Sequence, residues 1–159
     1  MENREIALKL VLDAIEENTS IGTVSDRLRL QKAIYICQEM EIPLGYSYSW
    51  YVKGPYSPSL TQDYYNLNSS LSAGDNDTKG LQLHPDLIER AQRVKEALLP
   101  PPGVDDKPHW YEALCSLHYL LKASKKPVAE AKQFMRTVKP HLNDLLDRAH
   151  DRLVQMHLV

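Results

Sequence analysis

Five prolines mark where helices can begin in this chain, and they limit how long any one helix can be. Pro58, Pro85, Pro108, Pro127 and Pro140 each stand at the head of a segment whose apolar residues recur with a helical period. Proline has no N–H to donate and its φ is fixed, so it fits the first turn of a helix and breaks the interior. The pattern predicts a series of separate short helices joined by tight connections.

Two more helices are predicted ahead of the first of these prolines. The first covers residues 5–17, whose apolar side chains form a single stripe. The second begins near Thr23 or Ser25, both good N-cap residues, and runs to about Met40. Its apolar face is so broad that we expect a central helix, packed on more than one side.

A small β element is predicted between the second and third helices. Residues 46–52 alternate aromatic and small side chains, which is the pattern of a strand. Lys53-Gly54-Pro55 must turn the chain, because Gly54 is free to adopt a positive φ. We expect Leu81-Gln82-Leu83 to pair with this strand, which would give a two-stranded wing with a helix inserted in it.

The composition is that of an ordinary globular protein of 159 residues, with 43% apolar and 25% charged residues. We expect a mainly α fold: a compact multi-helix domain with a small, wing-like two-stranded element, plus a C-terminal helical layer. The predicted divisions are a domain at residues 1–100, a Pro-rich connector at 101–107 and a three-helix extension at 108–159, packed on the first part.

The charge gives little sign of a nucleic-acid or membrane partner, because the net charge is only −2. The C-terminal extension is mildly basic and is expected to provide a second face or a dimer contact. Cys37 and Cys115 lie inside apolar helical patterns and are predicted to be buried free thiols, as in a reducing cytoplasm. No apolar run approaches transmembrane length, so a cytoplasmic protein without a membrane partner is expected.

No residue pattern identifies a catalytic, cofactor or metal site, and we expect a protein that is not an enzyme. A buried Cys37 would be inert as a nucleophile. His150 and His157 are seven residues apart on the predicted last helix, whereas metal-binding helices use a spacing of three or four. A polar helix face is the favoured interpretation, and a hydrolase that uses these histidines is the alternative left open.

Aromatic residues are concentrated in one stretch, since eight of the twelve fall between Tyr35 and Tyr65. A strand with aromatic residues on both faces cannot bury every ring in so small a sheet. Tyrosine and tryptophan left at a surface are typical of interaction hot spots. The predicted partner-binding residues are Trp50, Tyr51, Lys53, Tyr56 and Tyr64.

A DNA-binding regulator of its own operon is the main alternative. Arg27, Arg29 and Lys32 lie at the start of the second predicted helix, ahead of a wing, which is compatible with a winged-helix arrangement. However, the basic footprint is small, and a buried central helix cannot enter a groove of DNA.

The stretch 28–65 resembles the Panacea antitoxin domain and the SocA-related, YwgA-like proteins, over roughly residues 5–100. The residues that carry the resemblance are Leu30-Gln31-Lys32, Ile34-Tyr35, Pro43-Leu44, Trp50 and Lys53-Gly54-Pro55-Tyr56-Ser57. The resemblance implies a mostly helical fold with a small β element and a non-enzymatic role. We therefore expect an antitoxin-like or phage-defence-associated protein, which binds a partner protein, such as a toxin encoded next to it, and neutralises or regulates it. The oligomeric state, a homodimer included, stays open.

Overall fold

A computed structural model describes all residues, 1–159, as seven α-helices and one two-stranded antiparallel sheet. In chain order the elements are α1 (Asn3–Ala14), α2 (Val24–Glu39), β1 (Ser49–Tyr51), β2 (Gly54–Tyr56), α3 (Pro58–Ser72), α4 (Pro85–Leu98), α5 (Lys107–Lys122), α6 (Val128–Val138) and, after a 3-10 segment at Pro140–Leu145, α7 (Leu146–Gln155). The mainly helical fold with a small β element is therefore confirmed.

The prolines lie close to the predicted helix starts. Pro58, Pro85 and Pro108 fall within the first turns of α3, α4 and α5, and Pro127 is the N-cap of α6. Pro140 differs, because it begins a 3-10 segment rather than an α-helix. Side-chain caps support three of these starts, since Ser57 accepts from Leu60 N, His84 from Asp86 N and Asp106 from His109 N.

Two details of the predicted helices are wrong. The last helix, α7, ends at Gln155, so His157 lies beyond it with a positive φ of 57° and does not continue the helical face of His150. The sequence also predicts that the helix from Pro58 ends near Leu67 and that the polar stretch 68–80 is a loop, whereas α3 continues to Ser72.

The sheet is a local hairpin, and the predicted partner strand is wrong. Strand β1 pairs with β2 in the register Trp50 opposite Pro55, whereas Leu81-Gln82-Leu83 forms no strand. The physical reason is the turn at Val52 and Lys53. Gly54 follows that turn with a φ of +89°, and the chain reverses at once. A two-stranded sheet also leaves room for Pro55, which has no N–H to donate.

Helices α2 and α5 form the centre of the molecule. Every residue of Arg29–Cys37 is buried in α2, and every residue of Trp110–His118 is buried in α5. The two helices meet through polar contacts as well, since the Tyr35 hydroxyl lies 2.7 Å from Nδ1 of His118. Burial of α2 on all sides agrees with the central position predicted for it.

One hydrophobic cluster of 33 buried residues draws on helices from both sides of the Pro-rich connection between α4 and α5. The division into residues 1–100, 101–107 and 108–159 stays a prediction. Residues from both sides of the connector share this one core. Cys37 and Cys115 are both buried and unbonded to each other, as expected. None of the helices combines the length and apolar character needed to cross a lipid bilayer.

Candidate functional site

A groove of about 450 Å³ lies beside the hairpin turn. The N-terminal half of α2 forms one side, the turn and β2 form another, and α3 forms the third. We call it the hairpin groove. Its lining residues are Val24, Arg27, Leu28, Gln31, Lys32, Tyr51, Val52, Lys53, Tyr56, Thr61, Tyr64 and Tyr65.

Polar side chains of α2 fix the backbone of the hairpin. Ser57 N donates to Oε1 of Gln31 at 2.9 Å, and Nε2 of Gln31 donates to the Ser57 carbonyl, also at 2.9 Å. Nζ of the next residue, Lys32, donates to the Pro55 carbonyl at 2.6 Å. These contacts place the second strand and the start of α3 against the central helix, so the wall of the groove is held by side-chain hydrogen bonds.

A second glutamine does the same at the other end of the β segment. Gln38 accepts from Tyr46 N at 2.8 Å and donates to the Tyr46 carbonyl at 2.9 Å. Gln31 and Gln38 are seven residues apart and thus lie on one face of α2. Together they fix the chain just before β1 and just after β2.

Helix α5 approaches the hairpin closely at Gly54. A Cβ atom at this position would collide with Oγ of Ser116. Two constraints therefore favour glycine at position 54: the positive φ and the close contact with α5. The Ser116 hydroxyl is fully buried and has no hydrogen-bond partner.

A second buried lysine holds the hairpin turn from the C-terminal part of the chain. Nζ of Lys139 donates to the Val52 carbonyl at 2.5 Å and lies 2.8 Å from Oε2 of Glu112. It also lies 5.6 Å from the centroid of the Trp50 ring, within cation–π range. The turn is thus fixed by two buried ammonium groups, Lys32 and Lys139, that bind different carbonyls.

Tyrosines form the aromatic wall of the hairpin groove. The rings of Tyr51 and Tyr56 meet edge to face, with their centroids 5.1 Å apart. The Tyr56 hydroxyl lies 2.5 Å from Oγ1 of Thr61, which lies 3.3 Å from the hydroxyl of Tyr64. These hydrogen bonds fix the orientation of Tyr56 and Tyr64, whereas the ring of Tyr51 is 46% exposed.

All the charged side chains that line the groove are positive. Its lining includes Arg27, Lys32 and Lys53 and contains no aspartate or glutamate. Burial lowers the pKa of Lys32 to about 8, because the charged ammonium loses its hydration. The cations and the aromatic rings can together receive an apolar group that carries negative charge.

Four of the five residues predicted to bind a partner lie in this groove: Tyr51, Lys53, Tyr56 and Tyr64. Tyr64 contributes little accessible surface, since it is only 3% exposed. Trp50 is not part of the lining. It packs in the opposite direction along β1, against Tyr119 and Phe134, with ring centroids 5.8 and 6.0 Å away.

The residues of the DNA-binding alternative do not form a common basic surface. Arg27 lines the hairpin groove and donates to the Ile21 carbonyl at 2.8 Å. Lys32 is buried beneath it. Arg29 is buried elsewhere and forms an ion pair with Glu17. The Arg29 guanidinium cannot reach a nucleic-acid phosphate without leaving this ion pair. The Lys32 ammonium lies beneath a groove of about 450 Å³, which is too small for the backbone of a DNA duplex to enter.

A second cavity, of about 330 Å³, lies on another side of α2 and includes Tyr35, Glu39, Tyr48 and His118. Burial lowers the pKa of His118 to about 4, so this imidazole is neutral at physiological pH. Burial likewise raises the pKa of the Tyr35 hydroxyl. The pair is a neutral hydrogen bond between the two central helices.

The histidines of the C-terminal part do not assemble a metal site. His141 Nε2 lies 3.5 Å from Oε1 of Glu112, and its ring lies 5.3 Å from that of His109. The structure contains no group of three or more His, Cys, Asp or Glu side chains placed to hold a metal ion. His150 and His157 do not lie on one helical face, because α7 ends at Gln155.

The sequence predictions missed Gln31, Ser116 and Lys139 as parts of this site. Gln31 and Gln38 gave a usable signal, because two polar residues on one face of an otherwise buried helix need buried partners. Ser116 and Lys139 gave none, since nothing local to them indicates contact with a hairpin more than 60 residues away. No family model matches the chain, and no curated protein shows significant similarity to it.

Proposed function

We propose that this protein is a non-enzymatic interaction module, which binds an apolar, acidic segment of a partner protein in the hairpin groove. The observation that carries the proposal is the lining itself, in which exposed aromatic and aliphatic side chains surround three cations and no acid. Tyrosine and arginine are enriched at the centres of protein interfaces, and a cationic lining without acids is complementary to a negatively charged segment.

The rim of the groove favours a protein partner. Val52 at the tip of the turn is 91% exposed, and Val24 on α2 is 59% exposed. Two apolar side chains on opposite borders of an aromatic groove are a reason to expect burial against another surface. The groove is also held open by fixed backbone contacts, so binding requires little ordering of the wall.

The resemblance of residues 5–100 to Panacea and YwgA-like proteins supports an antitoxin-like role. We propose that the partner is a toxin encoded beside this chain, and that binding neutralises it in the cytoplasm. Two buried free thiols are compatible with such a reducing compartment. The basic groove then suits an acidic segment of that toxin.

The test is co-expression of the chain with the product of the neighbouring gene, followed by co-purification and a growth assay. Tyr51→Ala combined with Val52→Asp is expected to abolish capture of the partner and to restore growth arrest by a toxin. Both side chains are exposed, so the fold is expected to survive.

The matched control is Val154→Asp, which places the same charge on an exposed valine of α7, outside the groove. It is expected to leave capture unchanged. If the unaltered protein captures no neighbouring product, or if the double variant captures it as well as Val154→Asp does, the proposed function is wrong.

A further inference from the structure

Lys32 differs from the other buried cations of this protein. Three cationic side chains are buried: Arg29, Lys32 and Lys139. Arg29 and Lys139 each form an ion pair with a buried glutamate. Nζ of Lys32 donates to the Pro55 carbonyl, and no carboxylate oxygen lies within 4.0 Å of it. Its charge therefore has no counterion in direct contact, and the Glu112 carboxylate acts on it only from a greater distance.

An unpaired buried ammonium is unfavourable. The group has three N–H donors, and only one hydrogen bond, to Pro55, is formed. Buried charges in proteins are normally paired, because the lost hydration is costly. The pKa of Lys32 is lowered to about 8 by this burial, yet the amine is still mostly protonated at neutral pH. The protein thus keeps a cation with unused hydrogen-bonding capacity.

The position of Lys32 indicates what the partner of this cation is. Lys32 lies in the lining of the hairpin groove, only 2% exposed, whereas Arg27 and Lys53 lie in the same lining nearer the solvent. Neither Arg27 nor Lys53 forms an ion pair within the chain. A negative group that enters the groove therefore meets a lining with three cations, several tyrosine rings and no acid.

We propose that the hairpin groove binds a carboxylate attached to an aromatic or large apolar group, and that this carboxylate becomes the counterion of Lys32. The inference rests on the proposed function, because the natural source is then an acidic segment of the partner protein. The apolar part of this ligand contacts Tyr51 and Tyr56, and its carboxylate accepts hydrogen bonds from the free N–H groups of the Lys32 ammonium.

Binding is then linked to proton uptake. The titratable groups near Lys32 are Cys115 and Glu112 on α5, together with Lys139 and Lys53. The first is a neutral thiol, because burial raises its pKa. A bound carboxylate favours the charged ammonium and raises the pKa of Lys32. At about pH 9 the free amine is mostly neutral, so binding takes up nearly one proton, whereas near pH 6.5 it takes up none.

The experiment compares two small probes of the same shape, hydrocinnamate and its neutral amide hydrocinnamamide. Nuclear magnetic resonance titration of the full chain at neutral pH gives both affinities. The carboxylate is expected to bind about 10-fold more tightly than the amide, as charged hydrogen bonds do. Calorimetry of the carboxylate in two buffers of different ionisation enthalpy is expected to show proton uptake at about pH 9 but not near pH 6.5.

Variants assign the effect to Lys32. Lys32→Met is expected to remove both the preference for the carboxylate and the proton uptake. Lys53→Met, which changes an exposed cation of the same lining, is expected to weaken binding only about twofold and to keep the proton uptake. The unaltered protein alone already tests the proposal should Lys32→Met fail to fold. Equal affinities for acid and amide, no binding of the acid at its solubility limit, or no proton uptake at alkaline pH each overturns it.

The probe and the partner give separate results. Carboxylate binding with proton uptake, but without capture of a neighbouring gene product, would keep this inference and remove the proposed function. Capture of a partner that is equally strong in Lys32→Met would keep the function and remove the inference.

Discussion

The side-chain amide of Gln31 forms two hydrogen bonds with the backbone of a single residue, Ser57, as a neighbouring strand would. This pair joins the central helix to the junction of β2 and α3. It lies at the base of the hairpin groove and is buried. Gln31 is therefore one of the side chains that fix the geometry of the groove, and its replacement directly tests this role.

Replacing Gln31 by methionine is expected to lower the free energy of unfolding by about 2 kcal/mol, because the buried N–H of Ser57 loses its acceptor. The Ser57 carbonyl loses one donor and keeps Thr61. Gln38→Met is the control, since Gln38 makes the same two bonds to the less buried backbone of Tyr46. There, water can replace the amide, and a loss of about 1 kcal/mol is expected. Urea denaturation of both variants measures the difference, and equal losses would contradict the role given to Gln31.

Gly54→Ala is expected to destabilise the protein by about 3 kcal/mol, which combines an unfavourable positive φ with a collision against Ser116. Gly45→Ala separates the two effects. Gly45 has a φ of +83° and nothing within 4 Å of its Cβ position, so only about 1 kcal/mol is expected. Adding Ser116→Ala to Gly54→Ala should recover part of the loss in thermal denaturation, and no recovery would show that the collision is unimportant.

Lys139→Met is expected to destabilise the protein by about 3 to 5 kcal/mol, because it leaves the buried carboxylate of Glu112 without its ammonium partner. The double variant with Glu112→Gln should be much more stable than Lys139→Met alone, since it removes the unpaired carboxylate that the single substitution leaves buried at this site. Lys132→Met removes an ion pair at the surface, with Asp147, and is expected to change little. Denaturation of the three variants provides the comparison, and a Lys139→Met effect as small as that of Lys132→Met would refute the prediction.

The neutral His118 predicts a pH dependence of stability. Its pKa is about 4 in the folded protein and near 6.5 when unfolded, so the unfolded chain binds more protons between these values. Stability is therefore lost as the pH falls from about 6.5 to about 4, by up to about 3 kcal/mol from this group. His118→Gln cannot titrate, and its stability should approach that of the unaltered protein over this range. Denaturation midpoints at several pH values test this, and parallel pH curves for the two proteins would contradict it.

Much of the fold follows from local chemistry and could be predicted. Pro58, Pro85 and Pro108 lie in the first turns of α3, α4 and α5 because proline is tolerated there and nowhere further inside. The burial of α2 followed from the width of its apolar face. The hairpin partner was mistaken because Leu81–Leu83 has the alternation of a strand, whereas the two-residue turn before Gly54 already closes the sheet locally.

The site was predictable only in part. Tyr51, Lys53 and Tyr56 were identified from their density and their neighbouring turn. The buried polar contacts were not, because Lys32 and Arg29 have the composition of a basic surface and only the packing of α2 places them inside. Lys139 and Ser116 come from helices distant in the sequence, and such long-range contacts leave no periodic pattern.

The hairpin separates the residues that hold it from those that it presents. Gln31, Lys32 and Lys139 bind backbone carbonyls or amides, and backbone groups are the same for every amino acid. The side chains of Val52 and Lys53 at the tip take no part in these hydrogen bonds. Substitutions at the tip can therefore change the shape and charge of the groove while the scaffold stays intact, so that the sequence can diversify here at little risk to folding.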